Sequence, residues 1–171
     1  GGTVLSGDIV TQPMIVDEGE FIRIALPGFH TSNEIGNPEL PQLHRLIEIP
    51  QNSSPRIEVI YEETEYYSLS DFEIEESIFP YQPSLSKSQD PDDVLFEWDE
   101  TIYEADDYLS PELISVDIKG QLRSLRLANL VIRPVDYNPV SGMIKVTTII
   151  EFIIHFDGAD LVETANIKEK Y

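Results

Sequence analysis

Hydrophobic and polar residues alternate in short segments along most of the chain, and the spacing of an amphipathic helix is nearly absent. Alternation at every second residue places apolar side chains on one face of a β-strand. Twelve prolines and nine glycines separate these segments. The pattern predicts strands at residues 21–26, 43–49, 56–62, 113–118, 122–132 and 143–156, with a weaker candidate at 66–69.

The clearest alternation lies in residues 143–156, where the even-numbered positions are almost all apolar. The odd-numbered positions mix charged, polar and apolar residues, so one face is core-like and the other mixed. A strand in one sheet of a sandwich has this pattern. We therefore predict an all-β antiparallel β-sandwich with long ordered loops. The core-like face carries Ile144, Val146, Thr148, Ile150, Phe152, Ile154 and Phe156.

Residues 71–112 have no regular period and combine runs of acids with four prolines. Short apolar pieces at 94–98 and 102–103 interrupt them. We predict long ordered connections with one or two short strands. A connection of this length in a compact domain is usually functional or disordered.

Composition narrows the classes of partner. The chain has 171 residues, enough for one well-cored domain, and a formal net charge of −21. Nucleic acids and anionic membranes require a basic surface, so we expect neither as a partner. The favoured partner is a protein or a cation, and we expect the isolated chain to be a monomer. The absence of cysteine excludes disulfides, thiolate metal sites and a cysteine nucleophile within this chain. No apolar run reaches the length of a membrane span.

Few residues indicate catalytic or metal chemistry. The three histidines, His30, His44 and His155, are far apart in sequence, and no nucleophile-elbow motif is present. The acids of residues 90–99 could hold calcium or form a solvated acidic run, but the glycine of an EF-hand loop is missing. The pattern therefore favours a binding module with no catalytic site, no metal site and no cofactor.

Lys87 is the only Lys or Arg between Arg56 and Lys119, a stretch that holds 19 acids. It lies in a segment rich in serine and bounded by prolines, residues 82–91, which predicts an exposed loop. An isolated surface lysine often only increases solubility. The alternative is a single basic side chain that the loop presents to an acidic pocket of a partner.

Four motifs in order resemble the propeptides of gingipain-type cysteine peptidases and cover about residues 20–162. They are Gly-Asn-Pro-Glu-Leu-Pro at 36–41, Pro-Ser-Leu-Ser-Lys-Ser-Gln-Asp-Pro at 83–91, Lys-Gly-Gln-Leu-Arg-Ser-Leu-Arg at 119–126, and Pro-Val-Asp-Tyr-Asn-Pro at 134–139 before the long strand. The second is similar to the inhibitory loop of the lysine-specific branch.

This resemblance implies a non-catalytic β-sandwich that inhibits the cognate catalytic domain of the same precursor and assists its folding. Lys87 is then the residue that enters the specificity pocket, and the inhibitory loop includes Ser86, Ser88, Asp90 and Pro91. The full precursor would be a cysteine endopeptidase. We also expect an exported bacterial protein, located in the periplasm, on the cell surface or outside the cell, whose signal peptide is not part of this chain.

The resemblance divides the chain into three parts. Residues 1–19 form an N-terminal lead-in that could hold a first strand, residues 20–162 form the sandwich, and residues 163–171 begin the connection to the absent catalytic domain. An alternative remains open, a free-standing carbohydrate-binding or adhesion module. Sugar recognition favours exposed aromatic residues along a groove, and Trp98, Tyr103 and Tyr108 are the candidates.

Overall fold

A computed structural model describes residues 9–170, which form two compact units. Unit 1 contains the described part of Gly1–Gln42 together with Tyr66–Pro111 and Val135–Val146. Unit 2 contains Leu43–Glu65, Glu112–Pro134 and the described part of Thr147–Tyr171. Each unit is therefore assembled from three separate stretches of sequence.

Strands account for most of the regular structure in the described residues. Two short 3-10 turns lie at Leu69–Phe72 and Pro91–Asp93, and the helices are α1 (Glu100–Tyr103) and α2 (Leu161–Lys168). Neither helix of residues 9–170 has the length and apolar composition needed to cross a membrane. The strands are β1 (Val10–Val16), β2 (Gly19–Ala25), β3 (His30–Thr31), β4 (Pro41–Ile49), β5 (Ser54–Ser68), β6 (Ser77–Ile78), β7 (Ile114–Leu122), β8 (Leu125–Ile132), β9 (Val135–Asn138) and β10 (Met143–Asp157).

Unit 1 is built around two hairpins and a short parallel strand. β1 pairs antiparallel with β2, β2 pairs parallel with β6, and β9 pairs antiparallel with the first residues of β10. The turn between β9 and β10 is held by Asn138, whose side-chain oxygen accepts hydrogen bonds from the backbone N–H groups of Val140 and Ser141. The core of the unit includes the buried residues Ile9, Ile22, Ile24, Leu40, Leu69, Ile74, Ile78, Val135, Tyr137, Ile144 and Val146.

Unit 2 contains an antiparallel sheet in which β8 lies between β4 and β7. A bulge between Ile118 and Gly120 shifts the register of β7 on β8. The Arg126 guanidinium donates hydrogen bonds to the backbone oxygens of Pro50 and Ser53, which secures the loop after β4. The parts of β5 and β10 in this unit pair with each other.

The predicted all-β, sandwich-like class is confirmed, and its sheets are antiparallel apart from the β2–β6 pair. The strands predicted at 21–26, 43–49 and 143–156 correspond to β2, β4 and β10 within two residues at each end. The strand predicted at 113–118 continues to Leu122 as β7. The start of the strand predicted at 122–132 was wrong, because the chain turns at residues 123–124 with Arg123 at a φ of 53°.

The candidate at 56–62 and all but the last residue of the candidate at 66–69 belong to one 15-residue strand, β5, and Leu69 begins a 3-10 turn. The acids at 62, 63 and 65 lie within this strand, because a strand with exposed side chains tolerates charge while pairing maintains its backbone. Long connections do occupy residues 71–112, with β6 as a two-residue strand and α1 as a single helical turn.

Two elements, a strand and a helix, lie outside the segments for which the pattern predicted a strand, although the lead-in was expected to be able to hold one. β1 lies in the lead-in of residues 1–19, of which residues 1–8 lie outside the described part. α2 occupies most of the predicted connection at 163–171, whose last residue, Tyr171, is also outside it. The Asp160 carboxylate caps α2 by accepting a hydrogen bond from the backbone N–H of Glu163. The Asp-x-x-Glu spacing was the sequence signal for this helix start.

The predicted core-like face of β10 is buried only at its beginning. Ile144 and Val146 are buried, Phe152 is half-buried, and Thr148 is exposed. The assignment of Thr148 to the core was therefore wrong. Alternation identifies which side chains share a face, whereas the elements packed on that face decide how deeply each is buried.

Candidate functional site

Lys87 lies in a tight turn within unit 1, exposed to solvent. The backbone N–H of Gln89 donates to the backbone oxygen of Ser86 at 3.1 Å, and the Gln89 side-chain oxygen accepts from the Ser86 N–H at 3.0 Å. Two hydrogen bonds therefore close the four-residue turn Ser86–Gln89, which has the exposed Lys87 at its second position. None of the ion pairs found within residues 9–170 involves Lys87.

The turn leads directly into a capped 3-10 turn. Asp90 accepts a hydrogen bond from the backbone N–H of Asp92 at 3.1 Å, and Pro91 occupies the first position of the turn. Proline suits this position because it has no N–H to satisfy and its φ is already fixed. The Ser-x-Ser-x-Asp-Pro pattern therefore restricts the backbone that follows Lys87.

The two ends of the loop, Gln82 and Glu97, are joined by one side chain. The Gln82 side-chain oxygen accepts a hydrogen bond from the Glu97 N–H at 2.9 Å, and its nitrogen donates to the Glu97 oxygen at 2.6 Å. The same nitrogen also donates to the Pro80 oxygen at 3.0 Å. The side-chain amide of Gln82 thus pairs with the backbone of Glu97 as a neighbouring strand would.

The segment that begins at Gly36 contacts both ends of the loop. The Gly36 N–H donates to the Tyr81 oxygen at 2.8 Å, and the Gly36 oxygen accepts from the Asp99 N–H at 3.0 Å. The Tyr81 N–H donates to the Asn37 oxygen at 2.8 Å, and Pro38 forms a β-bridge with Pro80. The Gly-Asn-Pro motif therefore positions the base of the loop through backbone hydrogen bonds.

Aromatic side chains pack at the same base. Phe21 of β2 lies with its ring centroid 5.7 Å from each of Phe79, Phe96 and Trp98. Trp98 stacks on Tyr103 of α1 with centroids 4.8 Å apart and an angle of 8° between the rings. Aromatic pairs at these separations contribute beyond their buried area. Phe96, Trp98 and Tyr103 therefore attach the end of the loop to the rest of unit 1.

The residues that lead into the loop are fixed by two buried phenols. Ile78, fully buried, donates its backbone N–H to the Tyr137 hydroxyl at 3.3 Å, and its backbone oxygen accepts from the Tyr103 hydroxyl at 2.5 Å. Burial raises the pKa of both phenols above their ordinary value of 10.0. Both hydroxyls therefore stay protonated throughout the neutral range.

The raised pKa values of these two phenols predict a loss of stability at high pH. A phenol whose pKa is higher in the folded chain than in the unfolded chain favours folding fully below its unfolded pKa. This contribution is lost as the pH rises through its folded pKa. We expect the free energy of unfolding, measured with urea at pH values from 8 to 11.5, to fall above pH about 10. The double variant Tyr103→Phe with Tyr137→Phe should flatten this dependence; an equally steep fall in the variant would contradict the assignment.

Gly36 offers a test of the close approach at the loop base. Gly36 and Gly28 share a φ of +81°, but a Cβ on Gly36 would lie 3.2 Å from the Asp99 nitrogen, whereas a Cβ on Gly28 would meet nothing within 4 Å. We expect Gly36→Ala to lower the free energy of unfolding by about 1–2 kcal/mol more than Gly28→Ala, because only Gly36→Ala adds a clash to the shared backbone strain. Equal losses in chemical denaturation would show that the approach of Asp99 is unimportant.

An acidic and apolar groove of about 890 Å³ lies beside the loop. Asp17 and Glu18, in the β1–β2 turn, line it together with Asp92 and the exposed leucines Leu85 and Leu95. The cation of the loop is therefore presented next to a surface of opposite charge. Such a surface favours a partner that carries basic residues where it meets the groove.

Deeper in unit 1, buried Glu39 pairs with Arg23 at 2.7 Å, and the guanidinium lies 5.2 Å above the Phe79 ring centre. Glu39 belongs to the motif at 36–41, and its backbone N–H donates to the Phe79 oxygen at 3.0 Å. This ion pair therefore supports the same base of the loop.

The structure brings the predicted site residues Ser86, Lys87, Ser88, Asp90 and Pro91 together on one exposed segment. It does not join the histidines into a site: His155 pairs with Glu58 at 2.5 Å, and His44 contacts Asn129 at 3.0 Å. Asp90 and Asp99 cap turns instead of converging, and residues 9–170 contain no group of three potential metal ligands.

Sequence reasoning missed Gln82, Gln89 and Glu39 as supports of the loop. A glutamine or glutamate gives no positional signal, because its partners lie on other segments. Gly36 could have been noticed, since a glycine in a loop often marks a close approach of backbone.

Residues 10–170 match the Propeptide_C25 family, which covers nearly the whole chain. The chain belongs to this propeptide family. The resemblance predicted from the four motifs is thus confirmed, with Lys-gingipain of Porphyromonas gingivalis as a relative that is 36% identical over 149 residues, or 87% of this chain. The chain spans only 9% of the length of that relative.

Two solved structures have the fold of this C25 propeptide. A structure on the zymogenic latency of gingipain K from P. gingivalis matches with a TM-score of 0.80 and 31% identity, covering 93% of this chain and 92% of that one. The complex of RgpB pro- and mature domains from P. gingivalis matches with a TM-score of 0.71 over 92% of this chain and 84% of that one. Its 17% identity shows a shared fold alone.

Proposed function

We propose that this chain is the inhibitory prodomain of an exported gingipain-like cysteine endopeptidase and that it also assists the folding of that enzyme. Its loop covers the active site of the cognate catalytic domain and presents Lys87 to the specificity pocket. The observation that carries the proposal is the solitary Lys87 at the tip of a hydrogen-bonded turn, on a loop with both ends fixed.

A lysine contributes differently to binding when it is exposed and when it is buried in a pocket. An exposed ion pair contributes little, but a lysine that leaves water and meets a carboxylate in a closed pocket can dominate binding. The rest of the domain supplies contact area and rigidity, so that little conformational entropy is lost on docking. The propeptide relationship and the gingipain K zymogen structure support this role.

The chemistry of peptide hydrolysis would belong to the rest of the precursor. This chain has no cysteine, so the nucleophile lies in the catalytic domain. The partner is that domain, and the acidic surface beside the loop would disfavour docking on a peptidase with acidic residues around its pocket. Export fits the relationship to Lys-gingipain.

The alternative of a carbohydrate-binding or adhesion module is not favoured by the aromatic residues that suggested it. Tyr103 is only 7% exposed, and Trp98 uses one face to stack on it. Tyr108 is half-buried with its ring 6.4 Å from that of Tyr66. These three side chains therefore do not form an open platform for a sugar ring.

Inhibition of the separately produced cognate catalytic domain by this purified chain tests the proposal. We expect inhibition that is competitive with a lysyl peptide substrate, since both would occupy the same pocket. Absence of inhibition, or inhibition that does not compete with the lysyl substrate, would contradict the proposal.

A further inference from the structure

The loop that carries Lys87 begins and ends outside regular structure, so no strand ladder joins its two ends. β6 ends at Ile78 and α1 begins at Glu100. The backbone of Gly36 contacts both ends but belongs to a third segment. The Gln82 carboxamide, which bonds both backbone groups of Glu97, is therefore a direct link between the two sides of the loop.

A closed loop matters for binding because an open one must be ordered when the partner arrives. The chain between Gln82 and Glu97 contains 14 residues, and a flexible segment of this length loses considerable conformational entropy when its ends are brought together. A link already present in the free domain removes part of that cost from the binding step.

We propose that Gln82 is the positioning residue of the inhibitory loop: its two hydrogen bonds to Glu97 keep the loop closed, so that Lys87 is presented in one conformation. The inference rests on the proposed function, because it names a residue that supports the inhibitory loop. Gln82 itself does not enter the pocket of the peptidase in this mechanism.

The first measurement, the rate of cutting by trypsin, detects opening of the loop and does not depend on inhibition. Lys87 is the only site for trypsin between Arg56 and Lys119, so cutting after Lys87 reports opening of this loop alone. We expect Gln82→Ala to be cut at this position about tenfold faster than the wild type in the folded state. Loss of the three side-chain hydrogen bonds of Gln82 should raise the ratio of open to closed loop about a hundredfold, from about 0.1 to about 10.

Two controls separate local opening from unfolding. The cutting rates at Lys119 and Arg123, in the β7–β8 hairpin of unit 2, should stay unchanged in the same digest. Gln121→Ala is the matched substitution, because the Gln121 side chain also donates to a backbone oxygen, that of Arg123, at 3.0 Å. It should leave cutting at Lys87 unchanged. Gln82→Glu keeps the acceptor for the Glu97 N–H but places a carboxylate oxygen against the backbone oxygens of Glu97 and Pro80, and should be cut at least as fast as Gln82→Ala.

The second measurement is inhibition of the cognate catalytic domain by the same variants. We expect Gln82→Ala to raise the inhibition constant about tenfold, mainly by slowing association, because only the closed fraction of the loop can dock. Gln82→Glu should inhibit no better than Gln82→Ala, and Gln121→Ala should match the wild type.

The outcomes distinguish this inference from the function on which it rests. Unchanged cutting at Lys87 in Gln82→Ala would overturn the positioning role. Faster cutting with unchanged inhibition would also overturn it, while the function would stand if Lys87→Ala still weakened inhibition. If neither variant weakened inhibition, the inhibitory role of the loop itself would be overturned. Faster cutting together with weaker inhibition supports both.

Discussion

Lys87→Ala is expected to raise the inhibition constant for the cognate catalytic domain by about thirty-fold to a thousand-fold. The substitution removes the cation from a pocket whose carboxylate would then be buried without a partner. Steady-state inhibition of the separately produced catalytic domain measures the effect. The fold should be unaffected, since the side chain is exposed and makes none of the ion pairs found in residues 9–170.

Further substitutions at the same position read the shape and charge of the pocket. Lys87→Arg should cost little if the pocket accepts either cation, and much if it is shaped for an ammonium group, because the two head groups differ in geometry and hydration. Lys87→Glu should be the weakest inhibitor, since it places two carboxylates together. Lys119→Ala, at an exposed lysine of unit 2, is the matched control. A Lys87→Ala variant that inhibits as well as the wild type would return Lys87 to the role of a solubilising residue.

Ile144→Ala is expected to lower the free energy of unfolding by about 2–5 kcal/mol, because it removes buried methyl groups and leaves a cavity. Ile144 is 1% exposed and belongs to the core cluster of unit 1. Denaturation in urea, followed by circular dichroism, measures the change.

Ile149→Ala provides the control within the same strand. Ile149 is 45% exposed in β10, and its truncation should change the free energy of unfolding by less than about 1 kcal/mol. Equal losses in the free energy of unfolding for the two variants would contradict a stabilising role for Ile144 in the core of unit 1.

The sequence alone was sufficient for the elements that depend on local pattern. β4 and β10 were predicted within two residues at each end, because a period of two fixes which residues share a face of a strand. The loop around Lys87 followed from serine and proline, which favour turns through their own backbone and side-chain chemistry. The family followed from four motifs whose order was informative even though each was short.

The length of β5 and the position of the β7–β8 turn could not be predicted from local pattern. The pattern gave two separate candidates at 56–62 and 66–69, and only pairing with β10 shows that one strand continues through residues 62–66. The pattern ended one strand at 118 and began the next at 122, whereas β7 continues through a bulge to Leu122 and the chain turns at residues 123–124. In both cases the neighbouring strand decides the conformation, and a single sequence does not identify that neighbour.

What the sequence determined is the position of an isolated lysine on an exposed loop of an acidic chain. Tertiary structure decided how the ends of that loop are joined, through the Gln82 link to Glu97 and the approach of Gly36 to Asp99. These contacts join residues 15 and 63 positions apart. Local propensity carries no information at such separations, because the partners meet only after the strands and aromatic residues of unit 1 have packed.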